Sequence, residues 1–280
     1  MTDVWRKQYT LDFEDDFSGP ALRRDRWLPF YLPQWAGRAQ SAARFELPGR
    51  GLHLLITEDQ RPWNPAFDGE LRVSSVQTGC RSGPAGSPDG QHHFAAGLRV
   101  VEAQPDEWLY TPHYGLFEVA LRADLPAGYL AAFWMIGVER TPQESGEICV
   151  CELFGHERGQ EHYRVRFGVK PIHDPALHLD MHDVLMPGSP ADLHVYSAEW
   201  TPREVVFRID GREVGRVPQS PKYPMQFMLN VYELPAELPG GGRSGPWPKR
   251  AEVAWVRGYR RGGHGGADAG PSVEAGDPVA

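Results

Sequence analysis

The ten residues Gly146–Gly155 read GEICVCELFG and bring together the carboxylates of Glu147 and Glu152 and the thiols of Cys149 and Cys151. Two neighbouring carboxylates suit nucleophilic and general acid/base work when their surroundings keep one ionised and the other protonated. In a retaining glycosidase such a pair stands about 5–5.5 Å apart. The run has the composition of a strand, in which side chains alternate, so Glu147, Cys149 and Cys151 would share one face and Glu152 the other. A β-bulge near Val150 and Cys151 would return Glu152 to the face of Glu147 and Cys149. Without the bulge the segment reads as a plain strand, with one exposed Glu, one Glu at a turn, and Val and Cys in the core.

The elements that would hold this strand are β-type. Alternating or β-rich runs occur at 51–57, 71–79, 114–123, 161–169, 204–217 and 251–260. In the fifth, Asp210-Gly211 separates two alternating arms, which predicts a hairpin with a two-residue turn. No window sustains a 3.6-residue apolar period, so little helix is expected. The 31 Gly and 26 Pro are spread along the chain, as turns between many short strands require. The expected class is an all-β sandwich or jelly roll of two packed antiparallel sheets, in one domain over residues 8–261. Residues 262–280 carry no bulky hydrophobe beyond two Val and are expected to be a disordered tail.

Composition narrows the partners. A net charge of −8 argues against a nucleic-acid ligand, which calls for a basic face. No segment approaches the roughly 18 apolar residues of a membrane span, and the N-terminus shows no apolar run of signal-peptide length. The expectation is a soluble, cytoplasmic monomer, with secretion as the alternative. The three cysteines Cys80, Cys149 and Cys151 suggest no disulfide framework and fit a reducing compartment. His178 and His182 have H-x-x-x-H spacing, which on a helix would set two imidazoles beside Cys149 and Cys151 for zinc. The surrounding chain is not helical in pattern and Cys-x-Cys is not the usual zinc spacing. No metal or cofactor is therefore expected, and these histidines are read as a polar loop over the rim of a cleft.

Beyond these readings, the chain resembles glycoside hydrolase family 16 of the concanavalin A-like superfamily. The bulged active-site strand of that family reads G-E-I-D-x-x-E, then two residues and Gly, matched by Gly146, Glu147, Ile148, Glu152 and Gly155. Residues 114–137, with Phe133-Trp134-Met135, resemble the strands leading into the site. Residues 192–214 resemble the H-x-Y-x-x-E-W-T-P hairpin through His194, Tyr196, Glu199, Trp200, Thr201 and Pro202. FEDDF (13–17), YPMQFMLN (223–230) and WVRGYR (255–260) resemble the first and last core strands. The resemblance implies a jelly roll with a concave sugar-binding sheet, and endo-acting, retaining cleavage of a β-linked polysaccharide such as a glucan or galactan. It assigns Glu147 as nucleophile and Glu152 as acid/base.

Cys149 departs from the pattern, because the family has Asp there. A thiol is a weak donor and is uncharged at its ordinary pKa of about 8.5, so a rate penalty of about 10²–10⁴-fold is in range. Three readings follow: a slower or retuned hydrolase or transglycosylase, a non-catalytic glycan-binding lectin-like protein on the same fold, or a redox or metal role shared with Cys151. Many relatives carry a calcium site with an Asp from the final strand; the matching residue here is Ala254, and the resemblance brings no calcium with it.

A sugar cleft needs aromatic faces and a few hydrogen-bonding groups. Trp134 matches the family Trp beside the catalytic strand and is expected to floor a subsite. Trp35 and Trp63 lie in Pro-rich loops, which suggests platforms at the rim, while Trp200 and Trp255 are expected in the core. Arg72, Asn230 and His156 are candidate donors to substrate; otherwise they are a surface charge, a strand-end cap and a turn residue.

Overall fold

Strand alternation, carried through both sheets, decides the architecture. The computed structural model describes residues 4–157, 159, 161–239 and 243–262. Among them the strands are β1 (Tyr9–Asp15), β2 (Arg44–Glu46), β3 (Leu52–Ile56), β4 (Arg72–Gln77), β5 (Gly79–Cys80), β6 (Glu107–Trp108), β7 (Gly115–Arg122), β8 (Tyr129–Gly137), β9 (Glu147–Phe154) and β10 (His162–Lys170). They continue with β11 (Asp180–Pro187), β12 (His194–Trp200), β13 (Val205–Ile209), β14 (Arg212–Val217), β15 (Met225–Glu233) and β16 (Lys249–Arg261). The tail expected to be disordered lies, apart from Gly262, outside the described residues.

One antiparallel sheet runs β14-β13-β12-β7-β16-β3-β2, with β1 also on β16; the other runs β11-β10-β9-β8-β15-β4. All six β-rich runs of the sequence are strands in these sheets. The hairpin of β13 and β14 turns on Asp210 and Gly211, whose φ angles of 50° and 78° are the paired left-handed values such a turn needs. Among the described residues helix is confined to short turns.

The principal core lies between the sheets. The six-stranded sheet supplies Ala131, Phe133 and Met135 of β8 and Phe227, Leu229 and Val231 of β15; facing them are Phe117 and Val119 of β7 and Ala198 and Trp200 of β12. Trp255 is a correction: it is only partly buried and lies outside this core, with the Arg257 guanidinium 4.1 Å from its ring centroid. The register of β16 slips between Val253 and Trp255, which interrupts the inward alternation there.

A second apolar cluster covers part of the outer face of the six-stranded sheet. Leu130, Ala132, Trp134 and Ile136 of β8, Met228 and Tyr232 of β15, and Val73 of β4 are buried beneath Tyr31, Leu32, Trp35, Trp63, Leu98 and Val100 from the connecting loops. This explains why β8, YLAAFWMIG, is apolar at nearly every position: both its faces are covered. Beyond β9 the cover ends, and Arg164 and Arg166 of β10 keep 42% and 33% of their side chains exposed. A closed half and an open half therefore meet at β9.

Candidate active site

The expected bulge is present. Against β8, Cys149 pairs with Trp134 and Cys151 with Phe133; against β10, Cys149 pairs with Gly168 and Glu152 with Arg166. Val150 and Cys151 thus oppose a single step of each neighbour, and both turn into the inter-sheet core. Glu152 is returned to the face of Glu147 and Cys149 as a consequence. Two glycines make the tight packing possible. A Cβ on Gly155 would lie 1.9 Å from the Pro126 carbonyl oxygen, and one on Gly168 would lie 2.2 Å from that of Asp180.

Glu147, Cys149 and Glu152 offer side-chain atoms within 4.8 Å of one another. The thiol of Cys149 lies 2.8 Å from Glu147 Oε1 and 3.6 Å from Glu152 Oε1. Between the carboxylates stands a residue the sequence reading missed: Lys170 Nζ is 2.9 Å from Glu147 Oε1 and 3.0 Å from Glu152 Oε1. The three atoms have the spacing of a cation site, but the ammonium already supplies the positive charge there. Its sequence signal was faint: a cation at the end of β10, on the face shared by Arg164 and Arg166.

The electrostatics follow from burial and this one cation. Burial works against a charge on Glu147, yet the Lys170 ammonium and hydrogen bonds from Cys149 and Lys170 outweigh it, and its carboxyl sits below the usual range. Burial first, and the Glu147 charge second, push the Cys149 thiol well up, so it is neutral. For Lys170 burial opposes the charge, and the surrounding acidic groups reverse that and hold the ammonium protonated. With the thiol neutral, the two glutamates are what hold it.

These groups open into a cavity of about 200 Å³ lined by Tyr31, His92, Trp134, Glu147, Glu152, Lys170 and Tyr232, with Leu71, Leu130, Ala132 and Leu234 as its apolar walls. His92 was not foreseen. It has a left-handed φ of 54°, its backbone N–H donates to Glu139 Oε1 at 2.7 Å, and its ring meets that of Trp134 edge-on at 5.4 Å. Burial lowers its pKa, which keeps the imidazole neutral near pH 7.

The other expected site residues fare unequally. Trp134 lines the cavity, and its indole N–H donates to Asn230 Oδ1. Asn230 itself is 2% exposed beneath that indole and is no direct donor to the cavity. Trp35 and Trp63 are not rim platforms. They are 1% and 2% exposed, with their indole N–H groups bonded to Gln91 O and Asp68 Oδ2, because the loops that carry them dock on the apolar outer face of β8 and β15. Arg72 is engaged by Glu70, Glu233 and the Gln60 carbonyl, and His156 pairs with Glu237 at 3.0 Å; neither lines the cavity. The helical spacing considered for His178 and His182 does not arise. His182 is on strand β11 against Asp180, at 2.8 Å, beside the Phe167 ring on the inter-sheet face, whereas Cys149 lies on the opposite face with Glu147 and Glu152. Rather than a rim loop, His182 thus belongs to an edge strand.

The site thus sets paired carboxylates of a bulged strand beside a Trp-lined cavity on one sheet of a two-sheet sandwich. The model of the glycosyl hydrolases family 16 matches residues 110–257, and the chain belongs to that family. Among solved structures, a GlcNAcα1-4Gal releasing endo-β-galactosidase from Clostridium perfringens is 28% identical with a TM-score of 0.78; the match covers 91% of this chain and 63% of that one. This chain therefore spans less than two thirds of the length of that galactosidase. SCLam, a non-specific endo-β-1,3(4)-glucanase from family GH16, is 18% identical with a TM-score of 0.60, covering 91% of this chain and 92% of that one. The catalytic domain of an endo-1,3-β-glucanase from Thermotoga petrophila RKU-1 is 15% identical with a TM-score of 0.59, covering 90% and 98%. The last two likenesses are of fold alone. No curated protein matches the chain.

Proposed function

We propose that the protein is a retaining glycosidase acting on a β-linked, galactose-containing glycan, with Glu147 as nucleophile and Glu152 as acid/base. The observation that carries this reading is the bulge-imposed approach of the two glutamates, whose carboxylate oxygens lie within 4.8 Å on one face. An inverting pair needs about 6.5–9.5 Å to admit a water between sugar and base. Glu147, buried and held ionised, attacks the anomeric carbon; the glycosidic C–O bond breaks as Glu152 gives its proton to the leaving oxygen. Glu152 then takes a proton from water, whose oxygen displaces Glu147 from the glycosyl ester and frees the sugar with retained configuration. A second sugar hydroxyl in place of water would give transfer rather than hydrolysis.

Galactose is favoured over glucose by the 28% identity to the endo-β-galactosidase. The small cavity and the sealed outer face of β8, β15 and β4 suit about one pyranose ring beside the catalytic pair, and so short products of fixed length. Cys149 favours a second reading, a non-catalytic glycan binder, since the resemblance implies Asp there. A panel of β-galactans and β-glucans, with the anomeric configuration of new reducing ends followed by NMR, tests both. E147Q and E152Q are expected to lose about 10²–10⁴-fold or more in kcat while retaining binding. Binding without cleavage by the wild-type protein would leave the glycan-binder reading.

A further inference from the structure

The two glutamates are bridged by a charge that their own strand does not supply. Lys170 ends β10 opposite Glu147 in the strand register, and its ammonium contacts one oxygen of each carboxylate at 2.9 and 3.0 Å. The side chain keeps 29% of its surface exposed, against 6% for Glu147 and 12% for Glu152, so it enters the site from the open half of the sheet. We propose that Lys170 is a positioning residue that orders Glu147 and Glu152 from a single point, in place of the carboxyl that family resemblance implies at position 149. The inference rests on reading the pair as nucleophile and acid/base.

The groups facing Lys170 from every packed element are few. β9 contributes Glu147, Cys149 and Glu152; the covering loops contribute His92 and Tyr31; β15 contributes Tyr232; Asp68 and His173 lie farther out and act on the same groups through their charge. Burial keeps the hydroxyls of Tyr31 and Tyr232 and the thiol of Cys149 neutral, and it keeps His92 uncharged. In contact with the ammonium there remain the two glutamates, and Arg166 of the same strand also acts on Glu152 through its charge. An ammonium beside Glu147 favours its ionised form, whereas a third carboxylate at position 149 would oppose it. The bridge also fixes both carboxylates from one point, which a neutral thiol 3.6 Å from Glu152 cannot do.

The sign of the effect separates charge from scaffolding. The acid limb of kcat/KM reports ionisation of the nucleophile, and the alkaline limb reports loss of the proton from the acid. Removing the ammonium raises the proton affinity of Glu147, so K170M is expected to move the acid limb upward by about one pH unit or more, and K170R is expected to keep it in place. In parallel, the carboxyl carbons of ¹³C-labelled glutamates would be titrated by NMR in wild type, K170M and K170R, with E147Q and E152Q assigning the signals. K170Q replaces K170M if the latter does not fold. A lower kcat with an unmoved acid limb and unmoved carboxyl titrations overturns the proposal and leaves Lys170 a packing residue. Carboxyl titrations that move in a protein that cleaves no glycan uphold the role of Lys170 and remove the glycosidase reading instead.

Discussion

Cys149 Sγ lies 2.8 Å from Glu147 Oε1, two residues along the same face of β9, with the thiol wholly buried. The contact makes Cys149 a neutral donor to an ionised carboxylate, and its strength is that of a hydrogen bond to a charged group rather than that of an ion pair. C149S keeps a donor and is expected to retain kcat/KM within about threefold, while C149A is expected to lose about tenfold. The same burial predicts that an aromatic disulfide reagent will label none of Cys80, Cys149 and Cys151 rapidly in the folded protein and all three in denaturant. A fast-reacting native thiol would contradict the neutral, buried Cys149 and revive a redox role.

Asn230 lies behind the cavity wall and accepts a hydrogen bond from the Trp134 indole. N230A removes the acceptor of the indole N–H and leaves that group unpartnered under the cavity floor. Steady-state kinetics should show KM rising about 5–10-fold with kcat changed less, and W134A should show a larger loss of the same kind. Loss of kcat alone in N230A would place Asn230 in the reaction rather than behind the floor.

Glu139 makes stability depend on pH in an unusual direction for a carboxylate. Burial pushes its pKa up to about 8, partly offset by the hydrogen bond from the His92 backbone. The folded state therefore holds a proton that the unfolded chain releases near the ordinary carboxyl value of 4.5, and stability falls as pH rises from that value toward about 8. E139Q keeps an acceptor for His92 without the titration. Urea unfolding across this range should show the wild-type slope flattened in E139Q, with the variant more stable at pH 8 by on the order of 1 kcal/mol or more. Identical slopes would assign the pH dependence elsewhere.

Gly168 sits opposite Cys149, with a φ of 150° and no space for a Cβ against Asp180 O. G168A is expected to cost about 2 kcal/mol or more of stability and to lower activity as well, because moving β11 away also moves the strand that carries Lys170. Calorimetry and assay of the same preparation check both. A variant as stable as wild type would show that β10 and β11 separate freely.

Much of the fold was legible because it is written in local periodicity. Alternation marked the strands, Asp210-Gly211 marked a turn that needs two left-handed residues, and the spacing of Glu147, Cys149 and Glu152 demanded a bulge if the carboxylates were to cooperate. The roles of Glu147 and Glu152 and the place of Trp134 came from the resemblance to glycoside hydrolase family 16, since spacing alone left a plain strand open. Lys170, His92 and Tyr31 were not legible. They reach the site through the β9–β10 register and through loops docked on the outer face of β8 and β15, contacts between residues far apart in sequence that no local pattern encodes. The burial of Trp35 and Trp63 has the same origin, since a Pro-rich loop looks exposed until the apolar sheet face beneath it is known. Sequence alone thus determined the strands, through rules acting over a few residues, and offered the pair of acids through family resemblance; tertiary packing decided which cation stands between those acids, because only folding brings the end of β10 against the start of β9.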